Sequence, residues 1–198
     1  MKLLHLDASI LGDHSVSRTV SAAVVAQLKD GTHDLEISYR DLADAPPAHL
    51  SAAHIGQGEP DATPSDLETG QAMLDEFLAA DIVVIGAPMY NFTIPTQLKA
   101  WLDRILVAGK TFRYTESGPE GLAGGKRVIV AVSRGGHYGP ESPASAFEHV
   151  ETYLRTVFAF IGIPDPEIIV AEGVMVGPDG RQQAISTALD QAAHLQAA

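Results

Sequence analysis

Two hydrophobic rhythms alternate along the chain. Lys2 to Asp7 is a short apolar run ending at polar and small residues, which predicts a buried strand. Ser17 to Leu28 puts Val20, Val24 and Leu28 on one helical face, with Ser15 and Ser17 as N-cap chemistry at its start. Leu35 to Tyr39 alternates as a strand. Leu67 to Ala80, carrying Met73, Leu74, Phe77 and Leu78, predicts a helix leading into Asp81-Ile82-Val83-Val84-Ile85-Gly86-Ala87-Pro88. A β-branched run without alternation marks a strand covered on both faces, as in a parallel sheet. Thr96 to Val107 predicts a helix, Arg127 to Val132 a second doubly covered strand and Ala144 to Phe160 a long helix. Glu167 to Ala171 predicts a fifth strand and Arg181 to Leu195 a closing helix.

Five strands alternating with five helices predict a doubly wound five-stranded parallel sheet in a three-layer α/β/α arrangement. Ligands of such folds bind at the carboxyl ends of the strands, beside the switch point. With 198 residues and neither internal repeat nor low-complexity tract, residues 1–198 read as one domain. The stretch Ala43 to Ser65, with Pro46, Pro47, Gly56, Gly58, Pro60 and Pro64, reads as an irregular excursion within it.

Charge narrows the choice of partner. A formal net charge of -12 and a pI near 4.9 argue against nucleic acid, whose phosphates need a basic field. There is no cysteine, which removes disulfides, thiol catalysis and iron–sulfur ligation. His5 and Asp7 interrupt the first apolar run, and no stretch approaches the ~20 apolar residues of a membrane span. A cytoplasmic, unanchored protein is expected. Eight histidines invite a metal, but H-E-x-x-H and other tight ligand spacings are missing, so no metal site is expected.

Three loops carry candidate chemistry, each after a different strand. After the first strand, Ser9, Ser15 and Ser17 supply hydroxyls, Gly12 a flexible point and the helix start its free N–H groups. That combination suits a dianionic phosphate. The same residues read equally as an ordinary serine cap, and Arg18 either adds charge there or points to solvent. G-x-G-x-x-G is missing, which argues against a resident dinucleotide. After the third strand, Met89, Tyr90 and Phe92 suit a flat aromatic ligand, and Asn91 both donates and accepts. The plainer reading is that Tyr90 and Phe92 cap the core. After the fourth, Ser133-Arg134-Gly135-Gly136 either lets backbone approach a ligand closely or is only a turn. His137 beside it is either a donor or a solvated loop residue. Converging loops describe a phosphate pocket beside a slot for a flat heterocycle, which FMN fits.

The chain resembles the FMN-dependent NADH-azoreductase family of flavodoxin-like quinone reductases. The resemblance rests on Ser9 with Ser15-Val16-Ser17, Ala87-Pro88-Met89-Tyr90-Asn91-Phe92 with Thr96-Gln97-Leu98-Lys99, and Thr111-Phe112-Arg113-Tyr114-Thr115-Glu116. Gly118-Pro119-Glu120-Gly121-Leu122, Ser133-Arg134-Gly135-Gly136 and Phe160-Ile161-Gly162-Ile163 continue it in the family's order. It implies a flavodoxin-like fold and a homodimer with FMN at the subunit interface. Ser9, Ser15, Val16 and Ser17 would hold the phosphate. Met89, Tyr90, Asn91 and Phe92, with Ser133, Arg134, Gly135 and Gly136, would line the isoalloxazine. Tyr114 and Phe160, from either subunit, would wall the acceptor pocket. Departures after Gly136 and around Pro46 to Pro64 bear on acceptor preference.

The implied reaction passes electrons from NADH or NADPH through FMN to a quinone, or twice over to an azo bond, by a ping-pong route. The Gly135 and Gly136 N–H groups would stabilise negative charge on the reduced flavin. The main alternative is a flavodoxin-type electron carrier with no organic substrate of its own. A Ser–His–Asp hydrolase using Ser9 or Ser133 lacks the G-x-S-x-G elbow. In the helix from Thr96, Leu98, Trp101, Leu102 and Ile105 form a broad apolar stripe, with Lys99, Asp103 and Arg104 off it. Trp101 reads either as core or as part of a dimer contact.

Overall fold

In the computed structural model, which describes residues 1–55 and 64–196, the doubly covered runs become the middle of a sheet. The strands are β1 (Lys2–Asp7), β2 (Glu36–Asp41), β3 (Ile82–Pro88), β4 (Phe112–Thr115), β5 (Gly118–Gly121), β6 (Arg127–Arg134) and β7 (Glu167–Glu172). The helices are α1 (Val16–Gly31), α2 (Pro64–Ala79), α3 (Thr96–Ile105), α4 (Glu151–Phe160) and α5 (Gly177–Ala193). Five strands pair in the order β2-β1-β3-β6-β7, and every pairing is parallel.

Period-two alternation splits the strand side chains between two cores. Leu4, Leu6, Val83, Ile85, Val128 and Val130 pack with α2, α3 and α4. Leu3, Ile82, Val84, Ile129 and Ala131 pack with α1 and α5. The chain therefore leaves β1 toward one face and β3 toward the other. This divergence opens the crevice at the carboxyl ends of two neighbouring strands where doubly wound sheets hold their ligands.

Several elements depart from the sequence expectation. Phe112–Thr115 and Gly118–Gly121 form an antiparallel hairpin outside the main sheet. The helix expected from Ala144 begins only at Glu151, after a short 3-10 turn at Ser145–Phe147. Glu148 stops it from starting sooner: its carboxylate takes the N–H groups of Val150, Glu151 and Thr152 at 2.8, 2.9 and 3.2 Å. These are donors that a helix start leaves unpaired. The last helix starts earlier than expected, at Gly177, with Pro178 in its first turn. The excursion after Ala43 can be followed through a 3-10 turn at Ala52–Ile55; residues 56–63 of it lie outside the described residues, and Pro64 and Ser65 belong to α2.

Two side chains of α3 bear on readings that the sequence left open. Trp101 is fully buried, edge-on to Phe77 at 5.9 Å, so it is core and offers nothing to a second subunit. Arg104, off the apolar stripe, is nevertheless buried. Its Nη2 donates to the carbonyls of Ala48 and His49 at 2.6 and 3.3 Å, which pins the excursion to α3.

Candidate active site

The first loop puts small hydroxyls around the start of α1. Ser15 is the N-cap, its Oγ accepting the Arg18 N–H at 3.3 Å and standing 3.1 Å from Ser17 Oγ. The N–H groups of Val16 and Ser17 have no partner among the described residues. Two unpartnered donors at the positive end of a 16-residue helix, ringed by buried serines, form an anion cradle.

Arg18 does not face that cradle. Its guanidinium donates to the Ser9 carbonyl at 2.8 and 3.3 Å and pairs with Asp41 at 2.6 Å. It thus fixes the backbone from which Ser9 projects. The Arg18 hydrogen bond in turn holds the Asp41 carboxyl below its usual range, against a smaller opposing effect of burial. Beneath lies a buried polar cluster that the sequence reading did not single out. Asp7 accepts from Ser21 at 2.8 Å and from the Tyr39 hydroxyl at 3.2 Å, and His5 Nε2 lies 3.1 Å from Ser21 Oγ. Burial, with Asp7 and Asp41 beside it, pushes the Tyr39 phenol up to about 12. Burial pushes His5 down, opposed in part by Asp7.

The second loop is a tight turn with unusual backbone. Tyr90 and Thr93 exchange hydrogen bonds at 2.9 and 3.1 Å across Asn91 and Phe92, whose φ values are +47° and +74°. Asparagine tolerates this region, but a bulky side chain there is strained, and such strain gathers at functional sites. The turn turns the Phe92 ring out to solvent, where it meets Phe147 at 5.2 Å and Tyr138 at 6.3 Å. Neither Tyr90 nor Phe92 is core.

The third loop has its carbonyls committed. Val174, Met175 and Gly173 donate to the carbonyls of Arg134, Gly135 and Gly136, each at 3.0 Å. The N–H groups of Gly135 and Gly136 have no partner among the described residues. The Arg134 side chain does not line the loop's outer surface. It is 2% exposed and turned inward to Glu148, Glu151 and Glu172. Burial pushes the Glu148 carboxyl up, but the N–H groups of Glu151, Thr152 and Val150, with Arg134 behind them, hold it below its usual range.

Direct contacts join the three loops. Tyr90 Oη is 3.1 Å from Ser9 Oγ, and the Met89 N–H donates to the Ser133 carbonyl at 2.8 Å. His137 leans instead on Gly173 and lines a separate cavity of about 360 Å³ with Glu172, Val176 and Thr187. Phe160 packs on Phe112 at 4.7 Å, and Tyr114, 75% exposed, lies 5.6 Å from the same ring on the β4–β5 hairpin. That pair forms its own aromatic group. Among the described residues, no cluster of three histidines or carboxylates is poised for a metal, and no helix is long and apolar enough to cross a membrane.

Comparison with known proteins identifies the family. Residues 1–195 match the family described as having a flavodoxin-like fold. The chain is 64% identical to an FMN-dependent NADH:quinone oxidoreductase from Methylorubrum populi, with the whole of both chains covered. It is 58% identical to one from Rhizobium meliloti over 95% of this chain and 93% of that one. Among solved structures, the azoreductase from Bacillus anthracis str. Sterne superposes with a TM-score of 0.86 at 30% identity, covering 98% of this chain and 97% of the other. An FMN-dependent NADH-azoreductase from the Ames Ancestor strain, solved in complex with FMN, gives 0.83 at 29% identity over 97% and 98%. The chain belongs to the flavodoxin-like-fold family, beside relatives that carry the name FMN-dependent NADH:quinone oxidoreductase.

Proposed function

We propose that this protein is an FMN-dependent NADH:quinone oxidoreductase that works by a ping-pong mechanism and also cleaves aromatic azo compounds reductively. One observation carries the reading. Two pairs of unpartnered backbone N–H groups, Val16 with Ser17 and Gly135 with Gly136, follow different strands of one parallel sheet and end at the same rim. The first pair, with Ser9, Ser15 and Ser17, suits a phosphate. The second, with Met89, Tyr90, Asn91 and Phe92, suits the edge and face of a flat heterocycle with its own acceptors. The residues present therefore fit FMN. The names of the relatives point the same way and favour NADH as donor.

Bound FMN supplies the electron relay, taking two electrons and a proton as hydride from NADH and giving two electrons to the acceptor. The balance is NADH + H⁺ + quinone → NAD⁺ + hydroquinone, and an azo bond needs two such turnovers to yield two amines. The chain's part is positional. Ser15, Val16 and Ser17 anchor the phosphate, Ser9 and Tyr90 fix the adjoining loops, and Ser133 with Gly135 and Gly136 presents donors to the pyrimidine edge. Phe92 offers a flat wall. Donor and acceptor use one slot in turn, which is the origin of ping-pong kinetics. Ile10, Leu11, Phe92, Phe147 and Met175 are exposed on segments following the strands. They suit a homodimer in which a second copy closes the slot, with Tyr114 and Phe160 as acceptor-pocket walls.

The test is steady-state turnover of the FMN-loaded protein with NADH and menadione under nitrogen. Parallel double-reciprocal lines are expected. Intersecting lines would exclude the shared slot, and bound FMN without NADH oxidation would instead indicate an electron carrier.

A further inference from the structure

Arg134 belongs to the loop expected to line the cofactor, yet its side chain does something else. The guanidinium is 2% exposed and is shared by carboxylates from two neighbouring structural regions. Nη2 meets Glu148 at 3.2 Å and also Glu151, both at the start of α4, while Nη1 meets Glu172 at 3.4 Å at the end of β7. Glu172 in turn accepts the N–H groups of Tyr138 and, at 3.0 Å, Gly139. One buried cation therefore ties the last residue of β6 to α4, to β7 and to the segment that follows the loop. With the carbonyls of residues 134–136 also taken, the two glycine N–H groups are what the loop has left to offer a ligand.

We propose that Arg134 is a positioning residue: its guanidinium, held between Glu148, Glu151 and Glu172, sets the direction of the Gly135 and Gly136 N–H groups and the charge behind them. This rests on the assignment of those groups to the flavin edge. Two-electron reduction places negative charge on that edge, so whatever stands behind the donors weights the reduced state more than the oxidised one. The cluster sets one positive charge against three carboxylates. Screening is weak around a guanidinium this buried, although Glu151 and Glu172 are each 26% exposed. Removing the cation disfavours reduced FMN, and neutralising one carboxylate favours it. A role confined to holding the fold together would not produce opposite signs.

The experiment compares wild type with Arg134→Gln, Arg134→Lys and Glu172→Gln. Oxidised-FMN affinity is read by fluorescence quenching, and the two-electron midpoint potential of the bound flavin by spectroelectrochemistry. Together these give the affinity for reduced FMN. Arg134→Gln is expected to weaken reduced FMN about tenfold more than oxidised FMN, a fall of ~30 mV for a two-electron couple. Glu172→Gln keeps an acceptor oxygen for Tyr138 and Gly139 and is expected to favour reduced FMN about threefold, a rise of ~15 mV. Arg134→Lys keeps the charge but loses the fork that spans several carboxylates, so it falls between wild type and Arg134→Gln. Potentials that do not move, or that move in the same direction in Arg134→Gln and Glu172→Gln, overturn the proposal. If far-UV circular dichroism shows Arg134→Gln unfolded, Glu172→Gln decides alone: a rise supports the proposal and anything else overturns it. Wild type that binds no FMN overturns the functional reading itself and this proposal with it.

Discussion

The Tyr90 hydroxyl stands 3.1 Å from Ser9 Oγ and accepts the Ile10 N–H at 3.2 Å, so one phenol joins two loops that are 81 residues apart in sequence. Ser9 is held from its other side by Arg18, which grips its carbonyl. The phosphate side of the site and its aromatic side are thus one mechanical unit. Replacing Tyr90 by phenylalanine deletes both contacts and keeps the ring. At about 1 kcal/mol per hydrogen bond, stability is expected to fall by about 2 kcal/mol, and FMN affinity roughly tenfold as the two loops lose their common tie. Fluorescence titration checks this, and an unchanged Kd would mean that the two loops do not act together.

Gly86 and Gly135 answer differently to the same substitution. A Cβ at Gly86 would lie 2.2 Å from Asp7 Oδ1 and 3.3 Å from the Ser17 carbonyl, between two central strands and α1. Gly86→Ala is expected to lose roughly 3 kcal/mol or more. A Cβ at Gly135 would meet only the flexible Met175 side chain, at 3.2 Å. Gly135→Ala is expected to stay within about 0.5 kcal/mol of wild type. Urea midpoints compare the two, and equal losses would refute the packing described at Gly86.

Much of this architecture is legible in the chain, and the failures have physical causes. β3 and β6 announce themselves because strands buried on both faces need unbroken apolar runs. The β4–β5 hairpin does not, since four-residue strands such as Gly118-Pro119-Glu120-Gly121 carry no core-facing rhythm. The late start of α4 follows from a single capping carboxylate at Glu148, whose partners lie within four residues but whose role depends on Arg134. The serines of the first loop, the aromatic residues of the second and the glycines of the third marked the candidate site in the chain. The direction of its arginines stayed hidden: Arg18 read either as added charge or as solvated and Arg134 as part of the cofactor lining, and each is spent on carboxylates 14 to 38 residues away. Pairing at that range is set by topology, not by local pattern. Asp7 was hidden for the same reason, since its partners arrive from α1 and β2.

Stability is expected to fall as pH drops below the ordinary histidine value of 6.5, because burial holds the folded-state pKa of His5 beneath it. In that window the unfolded chain takes up a proton that the folded protein refuses. The stabilisation is complete above 6.5 and is lost as pH falls toward the folded value, with a slope of at most ~1.4 kcal/mol per pH unit. Asp41 and Glu148, held below their usual range, contribute only at lower pH. Denaturation midpoints between pH 7 and roughly 5 should flatten in His5→Gln; an unchanged slope would acquit His5.

Equilibrium titration decides whether backbone donors at one rim of the sheet hold FMN. FMN is added to the native protein while flavin fluorescence and visible absorbance are followed, beside a Ser15→Ala, Ser17→Ala double variant. Saturable quenching at one FMN per chain is expected, with binding at least tenfold weaker in the variant. Flavin fluorescence that stays at its free value in demonstrably folded wild type would contradict it.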